Sequence, residues 1–146
     1  MEIKIINKEL IKEFGLPEHG SAMAAGLDFR TDRHFSLKPN ETILVGSGVA
    51  YNLLDSCMML KLYPRSGMGS RGLVLGNLTG VIDSDYQGEV KICLWNRTDQ
   101  TISYSRGERI AQGVFERVLR PYPHLVEEFS TETKRGDGAF GSTGSK

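Results

Sequence analysis

The chain has 146 residues and a mass of 16.2 kDa, with 39% hydrophobic and 25% charged residues, which suits one domain with a real core and is short for two. Its 18 basic and 18 acidic residues balance, which argues against long nucleic acid as a partner. No apolar run approaches the roughly 18 residues that a membrane-spanning helix needs, so neither a membrane span nor disorder is expected.

The N-terminal MEIKIINKEL alternates apolar and charged residues around Ile3 and Ile5, which predicts a strand. It lacks the charged-then-apolar pattern of a signal peptide, which predicts a cytoplasmic protein. Further period-two patterns fall at Ile43 and Val45, at Met59 to Leu62, at Val90, Ile92 and Leu94, and at Ile102 and Tyr104. Turn residues punctuate them at Pro39-Asn40, Gly46 to Gly48, Gly76-Asn77, Gly80, Asp99-Gln100 and Arg106-Gly107. The spacing predicts an all-β domain, a sandwich or jelly-roll-like distorted barrel. The one helix expected is a turn or two over Ser66 to Arg71, with Ser66 able to cap its first amides. Residues 1–123 form the expected core, and the polar, Gly-rich segment 124–146 is expected to be a mobile arm. Cys57 and Cys93 are expected to be buried, inert thiols. His19, His34 and His124 are scattered, without the spacing of a metal centre.

Several segments carry chemistry. In Ala24-Ala25-Gly26-Leu27-Asp28, Asp28 suits a metal ion met through water, or the cap of a turn. Pro64-Arg65-Ser66-Gly67 places a guanidinium and a hydroxyl beside a short helix, a pairing that suits phosphate and also occurs in ordinary turns. Gly76 to Asp83 reads as a tight hairpin that lets backbone approach a ligand. Asp83, pointed into a cleft and partly desolvated, is a candidate general base, although a strand-end Asp also serves as a turn former. Tyr86 could pack under a sugar. The stretch Arg106 to Gln112 could offer a polar side chain to phosphate. Gly136-x-Gly138-x-x-Gly141 has the spacing of a dinucleotide fingerprint, but no predicted strand precedes it. Its Arg135, Ser142, Thr143 and freed amides suit phosphate oxygens, and Phe140 suits stacking on a flat base or is simply an exposed aromatic in a tail.

In this order AAGLD, PRSG, GNLTG through VIDSDYQGEV, RGERIAQ and RGDGAFGSTG resemble the five motifs of the trimeric dUTPase family, from about Ala24 to Gly144. The resemblance implies a homotrimer with active sites at subunit interfaces, the C-terminal arm of one subunit closing over a site of another. It implies Mg²⁺-dependent hydrolysis of dUTP to dUMP and pyrophosphate, with water attacking the α-phosphorus. Asp83 resembles the carboxylate that deprotonates that water. Asn77, Gly80 and Val81 belong to the segment resembling the uracil-reading edge, and Tyr86 resembles the sugar discriminator. Arg65, Ser66, Gly67 and Gln112 match phosphate-contacting positions, and Asp28 matches the carboxylate linked to Mg²⁺ through water. Arg135, Phe140, Gly141, Ser142 and Thr143 match the closing arm, with Phe140 stacked on uracil. Deoxycytidine triphosphate deaminases are a related alternative, but the arrangement around their catalytic glutamate is not found here.

Overall fold

The structure, a computed structural model, describes residues 1–139. Its elements in chain order are β1 (Glu2–Ile5), α1 (Lys8–Phe14), β2 (Glu18–His19), β3 (Leu27–Arg30), β4 (Phe35–Leu37), β5 (Thr42–Asn52) and β6 (Met58–Pro64). There follow α2 (Ser66–Ser70), β7 (Leu73–Leu75), β8 (Gly80–Ile82), β9 (Glu89–Asn96), β10 (Ile102–Tyr104) and β11 (Arg109–Arg117). The all-β expectation holds. A four-stranded sheet in the order β1-β5-β9-β7, a five-stranded sheet in the order β2-β3-β11-β6-β8 and the pair β10-β4 are antiparallel throughout.

The core lies where the inward residues of the two larger sheets meet. Along β9, Val90, Ile92 and Leu94 are buried while Lys91 is exposed, the period-two alternation of a strand with one wet face. Phe29 of β3, Leu60 and Leu62 of β6, and Ile110 and Ala111 of β11 answer from the other sheet. Asn96, at the end of β9, is fully buried and fully bonded. Its Nδ2 lies 2.7–3.1 Å from the carbonyls of Leu37, Lys38 and Gln100, and its Oδ1 accepts from the amide and hydroxyl of Thr98. One side chain thus ties β4, β9 and the following turn together.

Three expectations need correction. Gly46 to Gly48 do not end a strand, because β5 runs through them with a register slip between Gly46 and Ala50. A Cβ at Gly46 would stand 2.5 Å from Glu89 Oε1 and 2.8 Å from Asp32 Oδ2. These carboxylates fill the missing side chain's space, Asp32 accepting from the Gly46 amide and Glu89 from the Gly48 amide. Secondly, Ser66 does not cap α2. Arg65 is the N-cap residue, and no side chain bonds the first amides. Thirdly, the helix α1 was not expected. Asn7 Oδ1 accepts from the Leu10 amide at 3.0 Å, and Gly15, with φ of 80°, closes the C-terminus on the Ile11 carbonyl. Leu10, 1% exposed, packs over the bulge at Gly48.

Candidate functional site

Two separate regions gather the residues singled out by the sequence. The first is the edge where β3, β11 and β6 meet. Gln112 lies opposite Asp28 on one side and Tyr63 on the other, and Ala111 opposite Pro64, so the ladder brings Asp28, Gln112 and the exit of β6 side by side. Arg65, the first residue past β6, forks onto Asp28, with Nε donating to Oδ1 at 2.7 Å and Nη2 to Oδ2 at 3.3 Å. Gln112 Nε2 donates to the Pro64 carbonyl at 3.0 Å. Its Oε1 would lie 2.9 Å from a Cβ at Gly26, so this glycine makes room for the glutamine. Ser66 and Gly67 begin α2 and are exposed. Guanidinium, hydroxyl, amide and free helical N–H groups together make an edge suited to an anion.

Arg109 joins this cluster, although the sequence reading had not singled it out. Its Nη1 donates to Asp28 Oδ2 at 3.1 Å. Strict alternation puts residues three apart on opposite faces of a strand. The ladder slips between Arg109 and Ala111, however, and this bulge brings Arg109 to the face that carries Asp28 and Gln112. The only sequence signal was its membership of the Arg106 to Gln112 stretch.

The second region is the crossing from β7 to β8. It is not a paired hairpin as expected: β7 belongs to the four-stranded sheet and β8 to the five-stranded one, so the turn passes between sheets. Leu78 has φ of 62°, its amide bonds the Leu75 carbonyl, and the Thr79 amide bonds the Asn77 carbonyl. Asn77, Leu78 and Val81 are exposed, while Gly80 is buried against Leu62. Asp83 follows β8 and lines a groove of about 380 Å³ with Met58, Met59, Val81, Val118 and Arg120. It is exposed in the single chain, so the expected desolvation is not seen there. Tyr86 is 43% exposed. Its amide bonds the Asp83 carbonyl and its hydroxyl donates to the Glu89 carbonyl at 3.2 Å.

One chain keeps these regions apart. Leu60 pairs with Ile82, so Asp83 stands level with Met59, six residues along β6 from Arg65. At about 3.3 Å per residue, Asp83 and Arg65 are separated by about 20 Å.

Arg135 is exposed, and its Nε donates to the Gly138 carbonyl within the same turn. Phe140, Gly141, Ser142 and Thr143 lie outside the described residues. Cys57 is exposed rather than buried, in the turn before β6 where its amide bonds Asp55 Oδ1; Cys93 is half-buried. No group of three or more His, Cys, Asp or Glu that could hold a metal ion occurs among the described residues. Asp28 nonetheless has room for one more partner: three N–H groups occupy its oxygens, which together offer about four acceptor positions. A single carboxylate with one free lone pair fits Mg²⁺ held mainly by substrate phosphates, with water between ion and protein. Among the described residues, no helix is long and apolar enough to cross a membrane.

Comparison with known proteins supplies a family. The dUTPase family model matches residues 12–144. The chain is 44% identical over 148 residues to the deoxyuridine 5'-triphosphate nucleotidohydrolase of Hydrogenovibrio crunogenus, covering 99% of this chain and 97% of that protein. The corresponding protein of Shigella flexneri is 43% identical over 147 residues, with 99% and 97% covered. Among solved structures, the G164S variant of the Staphylococcus bacteriophage 80alpha dUTPase, with dUpNHpp, superposes with a TM-score of 0.85. It is 27% identical and covers 98% of this chain and 97% of its own.

Proposed function

Because the chain belongs to the dUTPase family and is a dUTP nucleotidohydrolase, we propose that water attacks the α-phosphorus of dUTP in sites that each combine residues from different copies of a homotrimer. The observation that carries this reading is the separation of about 20 Å between Asp83 and Arg65 along β6. A base must come within hydrogen-bond reach of the attacking water while cations hold the same phosphate chain. No single copy brings the two groups that close, and a neighbour's Asp83 groove set against the Arg65 edge does.

In this arrangement Arg65, Ser66, Gly67 and Gln112 hold the phosphates. The turn at Asn77, Gly80 and Val81 presents its backbone to the uracil edge, accepting uracil's donor and acceptor pattern and refusing cytosine's. The Tyr86 ring lies under the sugar and leaves no room for a 2′-hydroxyl. Asp83 orients the water and takes its proton, so that the bond to the pyrophosphate leaving group breaks as the new P–O bond forms. Asp28 would hold Mg²⁺ through water, and the bound cation would offset the phosphate charge. The segment 124–146 acts as an arm, with Arg135, Gly141, Ser142 and Thr143 on the phosphates and Phe140 over the base. The reaction keeps dUTP from polymerases in the cytoplasm and yields dUMP for thymidylate synthesis.

Hydrolysis in ¹⁸O-water tests the chemistry. Attack at the α-phosphorus places the label in dUMP, whereas label in the pyrophosphate would rule this reading out.

A further inference from the structure

We propose that Phe14 is a positioning residue for the phosphate half of the site, with α1 acting as a brace that holds the turn at Gly107 and, through it, the first residues of β11. The inference rests on the reading of the β3-β11-β6 edge as that half.

The helix α1 is rooted at one turn and reaches out at the next. Leu10 is 1% exposed and packs on Gly48 in the bulge of β5. Phe14 lies four residues on, and hence on the same helix face. Its ring enters the turn between β10 and β11 tip first: a Cβ at Gly107 would stand 2.3 Å from Cζ and 2.5 and 2.6 Å from the two Cε atoms. Gly107 has φ of 86°, so both backbone and space call for glycine here. Two guanidiniums pin the ring. Arg30 Cζ lies 5.8 Å and Arg106 Cζ 5.6 Å from its centroid. Arg106 also pairs with Glu13 of α1, and Arg30 Nη1 donates to the Gly107 carbonyl at 2.8 Å. The Gly107 amide donates to the Thr31 carbonyl at 2.9 Å and the Thr31 amide to the Glu108 carbonyl at 3.0 Å, which ties the turn to the end of β3. Arg109 comes next, opposite Arg30, and the ladder with β3 slips between it and Ala111. Regular pairing is interrupted at such a slip, so the course of β11 toward Gln112 depends on what fixes the residues before it. A shift of the turn would be carried to Gln112, whose bond to the Pro64 carbonyl sets it beside Arg65 and Ser66. Phe14 lies outside the phosphate-holding edge itself, so it acts through the turn.

The test compares the original chain with Phe14→Leu and Phe14→Ala. It reads inhibition of dUTP turnover by inorganic tripolyphosphate, which needs only the phosphate half, and by deoxyuridine, which carries no phosphate. Melting curves give the stability of each variant, and Asn96→Ala serves as a chain destabilised elsewhere. Phe14→Leu keeps an apolar side chain but lacks the ring tip, and should weaken tripolyphosphate inhibition roughly threefold or more; Phe14→Ala should weaken it roughly tenfold or more. Deoxyuridine inhibition should stay within about twofold of the original in both. Asn96→Ala should melt earlier yet change neither inhibition constant by more than about twofold. If Phe14→Ala does not fold, Phe14→Leu decides. Tripolyphosphate inhibition unchanged in Phe14→Leu, or equal weakening of both inhibitors, overturns the inference and leaves the phosphate reading standing. No tripolyphosphate inhibition of the original chain overturns both.

Discussion

Arg65 and Asp83 occupy opposite ends of β6: Arg65 leaves the strand after Pro64, and Asp83 stands across from Met59. The antiparallel pairing of β6 with β8 fixes this distance, because moving Asp83 one residue closer would slip the register of β8 and turn the exposed Val81 inward in place of Gly80 and Ile82. In the proposed assembly each copy of the chain carries two half-sites that face different neighbours.

Replacing Asp83 by Asn removes the proposed proton acceptor and leaves shape and hydrogen-bonding size almost unchanged. The expected outcome is loss of roughly 10²-fold or more in kcat, with affinity for a non-hydrolysable dUTP analogue within a few-fold of the original. Steady-state kinetics and calorimetry on the same preparation check both halves of the claim.

Removing residues 135–146 deletes the part of the proposed closing arm that carries Arg135 and Phe140 without touching a described strand, since β11 ends at Arg117. Turnover of dUTP should fall by roughly 10-fold or more while the melting temperature and oligomeric state hold. Light scattering and a thermal melt, run beside the assay, separate an arm effect from a folding effect.

Asn96 is fully buried and bonded to three carbonyls from two segments, those of Leu37 and Lys38 and that of Gln100. Asn96→Ala removes three hydrogen bonds to carbonyls, of which those of Lys38 and Gln100 keep a second donor, takes away the acceptor of Thr98 and opens a cavity, so a loss of about 2–4 kcal/mol is expected in denaturant unfolding. Catalysis below the unfolding transition should be little changed, because Asn96 touches neither half-site.

Tyr51 is 4% exposed and packs edge-on against Phe29 and Phe115, and burial pushes its hydroxyl up to about 12 from the usual 10.0. The folded value is raised, so the stabilisation is complete below pH 10 and is lost as pH climbs from 10 toward 12, where only the unfolded chain ionises readily. The loss attributable to this residue reaches about 2–3 kcal/mol near pH 12. A Tyr51→Phe variant should match the original chain at pH 7 and melt less steeply with pH above 10, which a pH series of thermal melts reads directly.

What the sequence disclosed depended on how local each feature is. Val90, Ile92 and Leu94 alternate openly, as do Leu60 and Leu62, because one face of each strand is buried and the other is not. The helix α1 was hidden by its length of 7 residues, even though the Asn7 cap could be seen in retrospect. The glycines of β5 resemble a turn because the groups that complete them, the carboxylates of Asp32 and Glu89, come from elsewhere in the chain. At the site, Asp28, Arg65 and Gln112 were legible as residue types in ordered motifs, and the ladder brings them together. Arg109 was not, because its direction depends on a bulge that no spacing rule reveals. The distance between Asp83 and Arg65 belongs to sheet topology, which residue patterns do not encode locally.

The most direct test of shared sites mixes two inactive chains. Asp83→Asn keeps an intact phosphate half, and Arg65→Ala keeps an intact Asp83 half; each alone should be nearly inactive. When the two are unfolded together and refolded as a mixture, random assembly pairs a good half from each in roughly a quarter of the sites, so activity should recover to about a quarter of the original. A mixture no more active than its separate components would contradict the account, since it would mean that each chain completes its own site.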